Sequence, residues 1–278
     1  MSIWLAVLLG LVQGLTEFLP VSSSGHLALV QILLGSDAEA DYMLFDVLLH
    51  FGTLLAVIIA FWKDIKELFL EFFAWIKDGF RIKGQPYRRF IVMLLISIVP
   101  MFAILPIKSR IEQAMNSTLV VGCMLLITAA LLLLSEKADK HTAKTEADAT
   151  WLDAFLVGVG QCFAVLPGLS RSGTTMVSGL LRGFSRDFAV RFAFIMSIPV
   201  ILGANILEIG EAIAQPSASA VPVYVYLIGV VVALISGLAA IKLVRLVTQR
   251  GNFRPFVLYC AFVGIVTIIA SLITGVAW

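Results

Sequence analysis

Six stretches of this chain, Met43 to Trp62, Phe90 to Pro106, Ser117 to Leu134, Phe188 to Ile209, Tyr224 to Leu243 and Phe256 to Trp278, approach the twenty or so apolar residues that a helix needs to cross a bilayer. Lipid offers no partner to a backbone amide or carbonyl, so such runs must bond internally as helices, and an open sheet edge is excluded. Composition agrees: 60% of the 278 residues are hydrophobic and 14% are charged, with a mean hydropathy of +1.01, far above a soluble domain. The expectation is an all-α integral membrane protein with six transmembrane helices in one membrane domain, residues 1–278.

Two shorter apolar stretches, Ile3 to Leu19 and Trp151 to Leu166, each run into a proline and a Ser/Gly cluster before another short apolar piece. They read as re-entrant helical hairpins around an enclosed polar chamber, because non-helical backbone survives at membrane depth only where protein or a water-filled cavity satisfies it. At an offset of 148 residues Gln13 aligns with Gln161, Ser22 with Ser170, Ser24 with Ser172 and Gly25 with Gly173, while Trp4, Ala6 and Gly10 face Leu152, Ala154 and Gly158. Each repeat, 1–135 and 151–278, then holds one hairpin and three spans. An odd number of crossings turns the second half upside down, giving an inverted-topology repeat.

Charge placement sets the orientation. Lys63, Lys66, Lys77, Arg81, Lys83, Arg88 and Arg89 fall between the first two spans, and Lys242, Arg245, Arg250 and Arg254 in the last connection, so both are expected to be cytoplasmic. The opposite connections carry Asp37, Glu39 and Asp41, or Glu208 and Glu211, with Lys108 and Arg110 their only basic residues. Both termini then lie outside, the first hairpin enters from the outer side and the second from the cytoplasmic side, and the two meet near the midplane. A net charge of +2 offers no basic footprint, and no nucleic-acid partner is expected. The N-terminus lacks a basic n-region and a small-residue cleavage pattern, so it should be retained. Cys123, Cys162 and Cys260 sit in apolar runs without metal-site spacing and are expected to be buried packing residues.

Gln13 and Glu17 are four residues apart and share a helix face. A carboxylate at membrane depth costs about 2.5 to 3.5 kcal/mol, so Glu17 should be partnered, protonated or bound to a cation. Ser22, Ser23 and Ser24 either cap the following helix or, with Gly25, form an anion-binding helix N-terminus. His26 is either packed and neutral or a proton carrier. In the second hairpin Ser170, Ser172, Gly173, Thr174 and Thr175 surround Arg171, whose guanidinium suits phosphate. Asp46 and His50, one turn apart in the first span, would support the chamber from behind.

These residues resemble the undecaprenyl-diphosphate phosphatase family of bacteria, the bacitracin resistance proteins, over essentially the full length. The signatures are Gln13 to Glu17, as a Glu-or-Gln-x-x-x-Glu motif, and Pro167 to Thr175, as Pro-Gly-x-Ser-Arg-Ser-x-x-Thr. The resemblance implies hydrolysis of undecaprenyl diphosphate to the monophosphate, which returns the lipid carrier to peptidoglycan synthesis. It also implies a divalent cation, Mg2+ or Ca2+, a bacterial inner-membrane location, and a site opening to the outer face. By the same resemblance Ser23 matches the nucleophile, Glu17 and His26 essential polar residues, and Arg171 the phosphate-binding arginine; attack by water instead of Ser23 is left open. Many relatives carry a glutamate where this chain has Gln13, so the cation is expected on Glu17, with Gln13 in attendance and the diphosphate supplying the rest. Partners are then a polyprenyl diphosphate and membrane lipids, with a homodimer left open. The competing reading is a polyprenyl-phosphate flippase or secondary transporter, which an inverted repeat with broken helices would also suit.

Overall fold

The computed structural model describes residues 1–33, 39–82, 84–107, 111, 117–137, 143–214 and 221–274, which contain eleven α-helices and no strand beyond an isolated bridge between Lys144 and Phe184. Helices α1 (Ile3–Phe18) and α2 (Ser23–Leu33) form one helical hairpin. Helices α7 (Trp151–Phe163) and α8 (Arg171–Leu181) form the other. Between and after them run α3 (Glu39–Ala60), α4 (Trp62–Lys77), α5 (Pro86–Ile98), α6 (Thr118–Leu134), α9 (Arg186–Ala214), α10 (Val223–Arg250) and α11 (Arg254–Thr274). Asp37, Lys83, Lys108 and Arg110, and the side chains of Glu39, Asp41, Glu208 and Glu211, lie outside the described residues.

Among the described residues four helices are long and apolar enough to cross a bilayer: Pro86–Ile107, where 3-10 turns prolong α5, then Arg186–Leu207, Val223–Arg250 and Arg254–Ile273. A fifth is Leu44–Ala60 if it is counted with α4, from which it is bent by 82°. The protein is therefore a multi-pass membrane protein. The stretch Ser117 to Leu134, expected as a span, forms a helix of 17 residues, about 26 Å at 1.5 Å per residue and shorter than a hydrocarbon layer of about 30 Å. Its limits are set locally. Ser117 caps the start by accepting from the Val120 amide at 3.4 Å, and Ser135 turns its hydroxyl back onto the Leu132 carbonyl at 2.6 Å.

Helix α4 corrects the reading of residues 63–89 as a plain basic connection. Ile65, Leu68, Phe72 and Trp75 recur at helical spacing there, and Leu68 and Trp75 are buried against the core. The thiols correct another expectation: Cys260 is buried, Cys162 half-buried and Cys123 exposed. On a lipid-facing surface an exposed thiol still meets an apolar medium, so the same residue type serves either side.

Small residues let helices approach closely. Helix α1 lies along α10, where a Cβ on Gly10 would stand 2.7 Å from the Gly229 carbonyl and one on Gly14 2.5 Å from that of Ala233. Helix α7 meets α5 in the same fashion, with a Cβ on Gly158 falling 2.2 Å from the Ser97 carbonyl. Helix α6 pairs with α11, and α3 packs on both α9 and α10.

Candidate active site

The two hairpin turns meet. Pro20 of the first lies against Gly173 of the second, where an added Cβ would stand 3.1 Å from the proline Cβ. Gly25 of the first lies against Gly168 of the second, where a Cβ added to Gly25 would stand 3.1 Å from the Gly168 Cα. Gly168 has φ +90, a left-handed conformation that a side chain disfavours. Ser172 donates across the junction to the Leu19 carbonyl at 3.2 Å.

Both short helices start at this junction, and they start alike. Ser22 accepts from the Gly25 amide at 3.3 Å and Ser170 from the Gly173 amide at 3.1 Å, each as an N-cap. Each cap also shares a hydroxyl hydrogen bond with the serine two residues on, Ser24 at 3.3 Å and Ser172 at 3.2 Å. Ser22 adopts φ +72, a strained value for a residue with a side chain. Its carbonyl offsets that strain by accepting from the His26 amide at 3.2 Å and from the His26 ring at 2.7 Å. The amides of Ser23, Ser24, Arg171 and Ser172 have no acceptor among the described residues. Four free donors at two positive helix ends make an anion-binding cradle.

The first helical residue is Ser23 in one copy and Arg171 in the other, and both reach the same carboxylate. Ser23 Oγ donates to Glu17 Oε2 at 2.6 Å, and the Arg171 guanidinium pairs with Glu17 Oε1. Gln13 Nε2 donates to Oε2 at 3.1 Å, as expected from residues one turn apart on α1. The Glu17 side chain is 3% exposed, so the partner demanded by a buried charge is present in Arg171. Beside the carboxylate a small cavity is bounded by Glu17, Arg171, Ser172, Thr175 and Ser197 and closed by Phe18 and Phe194.

His50 comes from α3 with its Nε2 at 3.8 Å from Glu17 Oε2. Its Nδ1 lies 2.8 Å from the Asp46 carbonyl, and a carbonyl only accepts, so the Nδ1 proton is fixed and Nε2 is the atom turned to the site. The Asp46 carboxylate accepts from Gln31 at 3.0 Å. Asp46 therefore orients His50 through its backbone.

The His26 ring is engaged at both nitrogens. Its Nδ1 donates to the Ser22 carbonyl, and its Nε2 lies 2.8 Å from Tyr259 Oη, with the two rings stacked at 5.6 Å. The fixed Nδ1 proton leaves Nε2 as the acceptor of the tyrosine hydroxyl. Tyr259, from α11, escaped the sequence reading; a phenol within an apolar span was its only signal. Thr128 of α6 was also missed. It accepts from the Ser170 amide at 3.0 Å and donates to the Gly168 carbonyl at 3.1 Å, bracing the second turn.

Of the hydroxyls proposed to hold phosphate, Ser22, Ser24, Ser170 and Ser172 bond to one another at the caps. Thr175 bonds the Arg171 carbonyl of its own helix at 2.8 Å. The buried Thr174 Oγ1 has no partner among the described residues. Gln161, the counterpart of Gln13, is buried with both amide atoms unpartnered among the described residues, and Val165 stands where Glu17 would be. Arg182, Arg186 and Arg191 are engaged elsewhere, with Asp153, the Thr248 carbonyl and Asp64 respectively.

No cluster of three His, Cys, Asp or Glu side chains suited to a metal exists among the described residues. Beside Glu17, however, the buried Oε1 of Gln13 has no hydrogen-bond donor among the described residues, and Ser23 adds a hydroxyl oxygen. An all-oxygen set with one carboxylate fits a hard divalent ion that a phosphate ligand helps to hold, as Mg2+ is commonly bound.

A family model described as "Bacitracin resistance protein BacA" matches residues 6–266. A protein named undecaprenyl-diphosphatase from Methanosphaera stadtmanae is 40% identical over 278 residues, covering 96% of this chain and 98% of that protein. Its namesake from Halothermothrix orenii is 39% identical over 272 residues, 98% of this chain and 99% of the relative. One from Bacteroides fragilis is 39% identical over 274 residues, 96% and 97% of the two chains.

Proposed function

The chain belongs to the bacitracin resistance protein BacA family, and from that premise we propose that it is a membrane-embedded hydrolase converting undecaprenyl diphosphate to undecaprenyl phosphate and inorganic phosphate. The product re-enters peptidoglycan synthesis as lipid carrier, and removing the diphosphate form accounts for bacitracin resistance. One observation carries the reading: Ser23 and Arg171, first residues of two facing helices, grip the two oxygens of one buried carboxylate. A serine activated by a base, beside a cation and free helix amides, suits phosphoryl transfer and has no use in a binding scaffold.

In this mechanism the terminal phosphate sits against the amides of Ser23, Ser24, Arg171 and Ser172. Ser23 Oγ attacks its phosphorus as the Ser23 proton passes to Glu17 Oε2. The bond to the bridging oxygen breaks, and undecaprenyl phosphate leaves with that oxygen. Protonation neutralises Glu17, which frees the Arg171 guanidinium to follow the charge onto the phosphoryl oxygens. Water then attacks the phosphorus of the phosphoserine, the bond from phosphorus to Ser23 Oγ breaks as Glu17 returns its proton to that oxygen, and inorganic phosphate leaves with the oxygen and protons of the water. If water attacks directly, it needs the same base in the same place. A divalent cation, Mg2+ or Ca2+, would be held by Glu17 and Gln13 Oε1 with oxygens of the diphosphate, and when bound it supplies further charge neutralisation.

The architecture in this reading is six spans and two re-entrant hairpins in an inverted repeat. Exchanged contacts support it. Helix α1 of the first half lies on α10 of the second, and α7 of the second on α5 of the first. The contact of Pro20 with Gly173 is answered by that of Gly168 with Gly25. The first turn is braced from α11 by Tyr259 and by Cys260, whose Sγ is 3.6 Å from the Pro20 carbonyl; the second is braced from α6 by Thr128. The site then opens to the outer face of the bacterial inner membrane, with both termini outside.

The test is phosphate release from undecaprenyl or farnesyl diphosphate by purified protein in detergent with Mg2+ or Ca2+, comparing the parent with Ser23→Ala and Arg171→Ala. The parent should release phosphate and both variants should be severely impaired. Undiminished release by both would overturn the site. An inert parent that moves polyprenyl phosphate across a liposome bilayer would replace the hydrolase by a flippase.

A further inference from the structure

Helix α4 pairs Asp64 and Glu71, and Asp78 just beyond its end, with arginines of the protein and turns its lysines and an aromatic stripe away from it. Around the helix, at about 100° per residue, four sectors follow one another. Leu68 and Trp75 are buried against the core. Next come Trp62, Phe69, Phe73 and Ile76, which are 58%, 62%, 48% and 45% exposed, followed by Phe80 just beyond the helix. Lys66, Lys77 and Lys63 border that stripe, all exposed and without an ion pair among the described residues. Asp64, Glu67, Glu71 and Asp78 complete the circle on the side nearest the protein. There Asp64 pairs with Arg191 of α9, while Glu71 and Asp78 pair with Arg88 of α5 at 2.9 and 2.7 Å.

We propose that α4 is an interfacial helix that docks on the membrane surface and binds the anionic headgroups of its own leaflet. Position commits the occupant to lipid. Helix α3 reaches Ala60, α4 starts at Trp62, and the two are bent by 82°, so α4 runs along the membrane plane where the span leaves the hydrocarbon. A stripe of aromatic and aliphatic side chains facing outward at that level enters the acyl boundary, as in amphipathic surface helices. Lysines on its border then reach the phosphate layer with their alkyl stems over apolar surface. Charge completes the argument: Asp64, Glu71 and Asp78 are paired with Arg191 and Arg88, so Lys63, Lys66 and Lys77 outnumber the one exposed acid of the helix without an ion pair among the described residues, Glu67. A basic residue close to an anionic leaflet contributes enough to change lipid association by roughly fivefold.

The experiment uses the full chain in vesicles of phosphatidylcholine, with trace spin-labelled phosphatidylglycerol or phosphatidylcholine to report the lipid held at the protein surface. The parent should favour phosphatidylglycerol several-fold. Lys63→Gln/Lys66→Gln/Lys77→Gln should lose most of that preference at unchanged thermal stability. Lys242→Gln/Arg250→Gln, which removes exposed charges from α10, should retain it. Parent-like selectivity in the α4 triple variant, or an equal loss in the α10 variant, overturns the proposal. Independently, a nitroxide at position 73, with Cys123, Cys162 and Cys260 replaced by serine, should be more accessible to oxygen than to a water-soluble nickel chelate; the opposite order also overturns it.

Discussion

Replacing Glu17 by glutamine keeps the shape of the side chain and removes its charge, so it separates what the carboxylate does for the reaction from what it does for the fold. The parent carboxylate accepts from Ser23 at 2.6 Å and Gln13 at 3.1 Å and pairs with Arg171. An amide oxygen does not take a proton from Ser23 near neutral pH. The loss of general-base assistance should lower kcat by about 10² to 10⁴, equivalent to a barrier about 3 to 5 kcal/mol higher. For the fold, breaking a fully buried pair costs about 3 to 5 kcal/mol. The Arg171 side chain is 25% exposed, so water recovers part of that, and about 1 to 3 kcal/mol is expected. This corresponds to a Tm lower by roughly 2 to 10 °C for a chain of this size. Adding Arg171→Met removes the stranded cation, so the double variant should regain most of the lost Tm while its activity falls further. Phosphate release in detergent and fluorescence-detected unfolding of the same preparations read the two quantities. A Glu17→Gln variant that keeps more than about a tenth of the parental rate refutes Glu17 as the base. A double variant no more stable than the single one refutes the ion pair as the link between the hairpins.

Tyr259→Phe retains the ring stacked on His26 and removes the hydroxyl that bonds Nε2; a neutral hydrogen bond of about 1 kcal/mol predicts a Tm lower by roughly 2 to 4 °C, and a parental Tm would remove this bond as a brace of the first turn. Gly168→Ala places a Cβ 2.4 Å from the Val121 carbonyl at φ +90, whereas Gly203→Ala on α9 meets nothing within 4 Å. The first should cost about 3 kcal/mol or more and sharply reduce the yield of monodisperse protein, and the second should be neutral or slightly stabilising; equal size-exclusion profiles would contradict the close packing of the second turn on α6. Gln13→Glu in a Ser23→Ala background adds a second carboxylate one turn from Glu17 and should tighten divalent-cation binding about tenfold by calorimetry. Unchanged affinity would place the cation elsewhere.

The helical class and the two polar breaks are legible in the sequence because each rests on local rules. Apolar length, helix-breaking residues and cap chemistry act over one or two turns. The shared face of Gln13 and Glu17 follows from helical periodicity alone, and the structure bears it out at 3.1 Å. Helix α4 was legible too, through Ile65, Leu68, Phe72 and Trp75, but its basic residues drew attention to orientation instead. The position of His26 at the start of α2 was legible but the direction of its ring was not, because that ring is held by the Ser22 carbonyl and by a tyrosine 233 residues away.

By itself the sequence determined that a carboxylate, serines, an imidazole and an arginine would be carried on two broken helices in an apolar chain. Tertiary structure decided which of them meet. Ser23 and Arg171 converge on Glu17 only because glycines at positions 25, 168 and 173 let two turns cross in contact. It also decided that His50 faces the carboxylate and His26 faces Tyr259. Local propensities do not encode either choice. A low-dielectric interior stabilises a charge only through partners at hydrogen-bonding distance, and those partners come from segments that only the packing of distant helices brings together.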